Sequence, residues 1–256
     1  MSTWEEIREF HPWLLESSEG WHQHPNGEGW VQDTASVSLT AYVGPKARVY
    51  GEAQVCNEAL VYGEAHVYEK ARVSGKAHIF GKTHVYGESH IFSKTHVYDE
   101  SHICDKARVS GEAHVYEKAR VSGEAHVYEK AQVYGEAQVY GKARVSGEAQ
   151  VYGKAQVYGE ARVSGEARVR NGKHPVSPIY IQGTRYWMCF SGGNNVSSGC
   201  ITKPISWWLE NVERCAEEHR YSETQQKEYR LHIELIRQWM ELYHPESVHT
   251  EDNITK

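Results

Sequence analysis

The chain has 256 residues, with 28 Lys and Arg against 34 Asp and Glu, giving a formal net charge of −6. That balance is modest and mixed in sign, so it carries no general signal for a polyanion partner. Five Cys, odd in number and without close pairs, argue against a disulfide-stapled secreted domain. No charged-then-apolar leader and no apolar run of about 18 residues is present, so the expectation is a reduced, cytoplasmic protein that does not cross a membrane.

Residues 1–28 read as an N-terminal helical cap and connector. Thr3 with Glu6 three residues on forms a capping-box pattern for a helix over 3–17. Trp4, Ile7, Phe10, Trp13, Leu14 and Leu15 supply apolar surface, and Pro12 bends the segment. Its expected role is to plug the open end of the repeat array that begins at residue 29. Residues 18–28, with Gly, Pro, Asn and two His, read as a connector.

Residues 29–172 carry one hexad: small residue, variable, Val or Ile, variable, usually Gly, then Glu or Lys. It runs from Ala35-Ser36-Val37 through Ala47-Arg48-Val49-Tyr50-Gly51-Glu52 to Ala167-Arg168-Val169. Residues two apart point to the same side of a strand, so Ala and Val face inward together and the residue between them faces out. Gly permits turn conformations that other residues resist. A strand of about four residues plus a two-residue corner is the expected content of each hexad. One hexad cannot bury its own Val, so coils must stack to make a core.

Charge shows how many hexads close a coil. Taken every 18 residues, the last hexad position reads Glu52, Lys70, Glu88, Lys106, Glu124, Lys142, Glu160, and a second column reads Lys46, Glu64, Lys82, Glu100, Lys118, Glu136, Lys154. The third (Glu58, Lys76, Lys94, Glu112, Lys130, Glu148, Glu166) alternates less perfectly. Stepping by 6 instead places Glu52, Glu58 and Glu64 together and then Lys70, Lys76 and Lys82. Opposite charges on stacked strands attract and like charges repel, so three hexads per coil is the better reading. The array then winds through nearly eight coils.

The series small-x-(Val/Ile)-x-Gly-x, with the lead-in Gly27-Glu28-Gly29-Trp30-Val31 and Ala41-Tyr42-Val43-Gly44-Pro45, resembles the hexapeptide-repeat, left-handed parallel β-helix family, in the type found in bacteriophages and prophages. The resemblance implies an all-β solenoid with 18-residue triangular coils, a left hand, and assembly as trimers. Relatives of that kind are most often acyltransferases, with a His base and a loop that breaks the coil to wall a cleft. No insertion interrupts residues 35–172, so no lid is in place to exclude water from a reaction.

Residues 173–244 read as a hairpin plus two-helix module. Ile179–Gln182, Arg185–Phe190 and Val196–Ile201 look like short strands, the last two joined by residues 191–195. Ser206 is the expected cap of a helix reaching about His219. Ser222 with Gln225 opens another to about Tyr243, its apolar face made of Tyr229, Ile233, Ile236, Met240 and Tyr243. Trp207 and Trp208 are expected to pack on the hairpin. His244-Pro245 ends the helix, and residues 245–256 read as a flexible tail.

Stepping by 18 also sorts the outward residues into three unlike faces. One carries Leu60, His78, His96, His114, Gln132 and Gln150, with corner rings Tyr62, Phe80, Tyr98, Tyr116, Tyr134 and Tyr152. A second carries Gln54, Arg72, His90, Arg108, His126, Arg144 and Arg162 with mostly small corner residues. The third mixes His66, His84, His102 and Arg120 with Tyr68, Tyr86, Cys104 and Ser122. A long aromatic stripe usually marks an interface, and the six corner rings are the expected oligomer contact of a homotrimer. Stacked imidazoles along a ladder do not converge as a tetrahedral zinc site requires, so no metal, no cofactor and no catalytic residue is assigned. Coils 77–106 are the least regular, with Thr83, Ser89, Thr95 and Ser101 replacing Ala, so a ligand site is expected there. Its candidates are Arg72, His78, His84, His90, His96, His102, Arg108, Tyr86 and Tyr98.

The function expected from these features is a non-enzymatic trimeric binding protein holding a small anionic or nucleotide ligand, or a host protein, in grooves between subunits. Arg beside aromatic rings suits a phosphate joined to a base. The phage resemblance implies a counter-defence role. A structural scaffold or virion-associated spacer is the first alternative and a hexapeptide-repeat acyltransferase the second. Nucleic acid is disfavoured because Glu and Lys columns dilute the field of the Arg face.

Overall fold

Ala and Val of every hexad meet in one core in the computed structural model, which describes residues 20–245. A two-residue strand begins every sixth residue from Ser36–Val37 to Arg168–Val169. The strands form three parallel sheets in which each pairs with the strand 18 residues away, as in His78↔His96, Arg72↔His90 and His84↔His102. The fold is therefore a parallel β-solenoid of about eight three-sided coils. Val49, Val67, Val85, Ile103 and Val121 stack as one internal column, all fully buried.

The strands are shorter than the four residues expected. Each corner takes more chain, because the inward small residue often bonds back to the carbonyl three residues earlier, as Ala71 N–H does to Tyr68 O at 3.3 Å. The corner residue lies at positive φ, which Gly tolerates without a Cβ penalty; Gly87 is at +72°. Glu69, Asp99, Asp105, Glu117 and Glu129 occupy the same conformation with side chains. Four of these carboxylates have a use there. Glu69 Oε2 accepts from Gly87 N–H at 2.9 Å, Asp105 Oδ2 from Gly123 N–H at 2.9 Å, Asp99 from Glu117 N–H, and Glu129 from Gly147 N–H. Each satisfies a corner amide one coil up that would otherwise face solvent. Glu69→Ala should therefore destabilise by about 1 kcal/mol, because it keeps the left-handed backbone and loses the bond. Glu69→Gly should be close to neutral. Urea melts of the two variants check the difference.

The charge columns form real contacts: Lys76–Glu58 at 3.2 Å, Lys94–Glu112 at 3.3 Å, Lys130–Glu148 at 3.2 Å and Lys70–Glu52 at 4.0 Å. Three of the four come from the column that alternates least well. All are well exposed, so each contributes little and they set register more than stability.

The array is closed at its end by a short coil. Gln156 pairs with Lys173 rather than a residue 18 on, and His174 takes the inward position where Val belongs. At the start, Trp21–Gln23 pairs antiparallel with Trp30–Gln32, so part of the expected connector is a strand. The expected helix over 3–17 and the end of the chain beyond 245 lie outside the described residues.

Beyond His174 a four-stranded antiparallel sheet orders Tyr180–Gln182, Trp187–Gly192, Asn195–Ser198 and Ile201–Pro204. The expected single strand 196–201 is split by a turn at Gly199, at φ +54°, which leaves a fourth strand where only three are expected. Strand Trp187–Gly192 is buried on both faces: Trp187 and Cys189 join the solenoid core, while Met188 and Phe190 join the helical one. Period-two alternation thus makes this strand the pin between the two cores. Gly192 is required there, since a Cβ would sit 1.8 Å from Asn171 O.

Two helices complete the module, α1 (Ile205–Glu218) and α2 (Glu223–Tyr243). Pro204, not Ser206, is the N-cap of α1, because Ile205 N–H is already bonded to Asn194 O at 2.8 Å in the hairpin. The capping box of Ser222 and Gln225 opens α2 as expected. Tyr229, Ile233, Ile236 and Met240 are its buried face, and Trp208 is pinned to the sheet by Nε1–H donating to Val196 O at 2.9 Å. Tyr243, expected on that face, is exposed.

Candidate functional site

Parallel in-register stacking converts each outward position into a ladder. His66, His84 and His102 stack with ring centroids 5.1 Å apart, and His78, His96 and His114 with centroids 4.8 Å apart. Tyr62, Phe80, Tyr98, Tyr116, Tyr134 and Tyr152 form an unbroken ridge with centroids 4.9–5.1 Å apart and planes within 10° of parallel. Shorter stacks join Tyr50, Tyr68 and Tyr86, and Tyr140 with Tyr158. The six-ring ridge is half-buried, because each ring covers its neighbours and leaves an edge outward, with a hydroxyl at its tip in every ring but Phe80. Burial pushes the Tyr116 hydroxyl up to about 12, helped by the phenols of Tyr134 and Tyr98 beside it.

Arg72, His90, Arg108, His126, Arg144 and Arg162 make the third ladder, in consecutive register. The four Arg are exposed, and among the described residues none makes an ion pair. Burial, then the flanking Arg72 and Arg108 charges, holds the His90 imidazole below its ordinary range. His126 is lowered in the same way between Arg108 and Arg144. The result is a cationic stripe whose middle positions stay neutral until the pH falls.

The nine expected ligand residues divide among the three faces. Arg72, His90 and Arg108 share one ladder, His78, His96 and Tyr98 lie on the ridge face, and His84, His102 and Tyr86 on the remaining one. Within the chain they do not converge. Arg144 and Arg162 extend the Arg ladder beyond the expected candidates, although stepping by 18 from Arg108 reaches them through His126. Among the described residues, no group of three or more His, Cys, Asp or Glu is placed to hold a metal ion. No helix among them is long and apolar enough to cross a membrane.

Two of the four inward hydroxyls of the irregular coils bond: Thr83 Oγ1 donates to Phe80 O at 2.6 Å and lies 3.5 Å from Ser101 Oγ. Ser89 and Thr95 are fully buried and their hydroxyls lack a partner among the described residues, which costs stability at those two positions.

Histidine makes the fold pH-sensitive. His78, His84, His102 and His114 are lowered chiefly by burial, and His174 is lowered to about 4 by burial, although Nε2 meets Asn171 O at 2.8 Å. Folded-state values below the unfolded 6.5 mean that the unfolded chain binds the extra protons. Stability is therefore full above pH 6.5 and falls as the pH drops from 6.5 toward 4. His174 alone contributes on the order of 3 kcal/mol of that loss. Melting temperatures across this range should fall for the native chain, and His174→Gln should flatten the slope.

Residues 137–153 and 155–171 each match the family model of the YdcK beta solenoid repeat. The two matches begin 18 residues apart (155 − 137 = 18), one coil of this solenoid. No curated protein and no solved structure matches the chain.

Proposed function

We propose that the chain is a non-catalytic binding protein that assembles as a homotrimer and holds an anionic, nucleotide-type ligand in the grooves between its protomers. The observation that carries this reading is the Arg72–His90–Arg108–His126–Arg144–Arg162 ladder, whose four Arg are exposed and make no ion pair among the described residues. Guanidinium forks favour phosphate, and an aromatic edge supplied by another protomer would take a base. The Tyr62–Tyr152 ridge is the complementary surface: a wall of large ring edges facing a ladder bordered by Ser74, Ser110, Ser146 and Ser164. Such a contact is heterologous and closes as a threefold ring. In a phage setting the same scaffold fits counter-defence, by sequestering a nucleotide signal or masking a host factor.

Native mass spectrometry with a panel of nucleotides tests both parts. The expected result is a species of three times 29.2 kDa that retains nucleotide. Arg72→Ala with Arg108→Ala should weaken retention by roughly tenfold per Arg while preserving the trimer. A monomer that retains nothing would overturn the reading.

A further inference from the structure

The C-terminal module encloses a cavity of about 110 Å³ between its sheet and the two helices. Met188, Trp208, Val212, Ala216, Tyr229 and Ile233 form the floor, all buried. Tyr186, Cys200, His219 and Tyr221 stand at the mouth, where the pocket opens to solvent. Cys215 lines it from α1.

The polar groups around this space are mostly committed elsewhere. Tyr229 OH donates to Tyr186 O at 2.8 Å and accepts from the Arg185 and Tyr186 amides. Arg185 donates to His219 O at 2.8 Å and lies over the Tyr221 ring, its carbon 4.8 Å from the centroid. Trp208 Nε1 is bonded to Val196 O. Apart from Ser198 on the sheet side, what remains pointing inward is chiefly hydrocarbon, sulfur and aromatic ring. An apolar void of this kind holds water poorly, and an engineered apolar cavity of about 150 Å³ takes up benzene. Aromatic walls favour an aromatic guest through offset and edge contacts.

We infer that this cavity is a binding site for a small neutral aromatic ring, a second site separate from the Arg ladder, with any polar substituent of the guest directed out past His219. The floor would grip a single six-membered ring; the space is too small for a fused polycycle to enter completely.

Thiol labelling reads occupancy, because Cys215 lines the cavity while Cys56 is exposed on the solenoid. Full-length protein is treated with N-ethylmaleimide with and without toluene, and modification is followed by peptide mass. Toluene at ten times its Kd should slow labelling of Cys215 roughly tenfold and leave Cys56 unchanged. Ala216→Met should fill the cavity, raise the melting temperature and abolish saturation transfer from the protein to toluene in NMR. If that variant fails to fold, Cys215→Leu provides the same NMR test. An unchanged Cys215 rate, equal protection of Cys56, or undiminished toluene signal in a folded filled variant would overturn the assignment.

Discussion

Replacing Ile91 with Asp is expected to abolish cooperative folding of the solenoid. Ile91 is fully buried and stacks between Val73 and Val109, in a stretch of the shaft lined by small and aliphatic side chains and the hydroxyl-bearing Thr83, Ser89, Thr95 and Ser101. Removing the aliphatic group alone costs about 2–5 kcal/mol, and a buried carboxylate without a partner adds several more. That total approaches the whole stability of an ordinary domain, about 5–15 kcal/mol. Each coil touches only the coils above and below, so a ruined rung also severs cooperation between the two halves. The control lies next to it on the same strand. His90→Asp points outward between Arg72 and Arg108 and should leave the fold intact, with a small gain from new ion pairs. Circular dichroism melts and limited proteolysis of the two variants separate an inward from an outward position one residue apart.

Deleting residues 107–124 should leave the protein folded, whereas deleting only residues 107–109 should disrupt it. The longer deletion removes one whole coil, so His126 moves onto His90 and Val127 onto Ile91, and every inward column continues. Its cost is electrostatic: Lys106 then faces Lys142, Lys94 faces Lys130 and Glu100 faces Glu136. These are exposed contacts worth tenths of a kcal/mol each, so the melting temperature should fall by only a few degrees. Deleting 107–142 restores opposite signs in all three columns. The three-residue deletion leaves one coil too short to complete its circuit and places corner residues where Val must point inward. A large drop in melting temperature, or two separate transitions, is the expected outcome.

The coil length is legible in the sequence because two independent columns agree on it. Hydrophobic spacing alone gives a six-residue strand-and-corner unit; the alternation of Glu52, Lys70, Glu88 and Lys106 decides how many units close a turn. Composition at the outward positions likewise separates the faces, since ladders carry one residue type upward without mixing. The C-terminal module is less legible because its contacts are long-range. Nothing local marks Ile201–Pro204 as a strand except the Ser198-Gly199 turn signal before it, and the start of α1 is moved by a hydrogen bond from Ile205 to Asn194. The cavity is invisible for the same reason, as its walls come from three strands and two helices. The candidate ligand residues show a different limit. Their irregular coils are real, but a single chain spreads them over three faces, and sequence spacing within one chain does not report what a neighbouring copy would bring.

One cross-linking experiment bears on the number of residues per coil, from which the faces and the ladders derive and on which the proposed grooves depend. Gln132→Cys paired with Gln150→Cys should form a disulfide under mild oxidation, because these positions are register partners on adjacent coils, at a strand spacing of about 4.8 Å that lies within disulfide reach. Gln132→Cys paired with Gln138→Cys, one hexad apart and on a different face, should not. Peptide mapping that found the second bond and not the first would overturn the 18-residue coil.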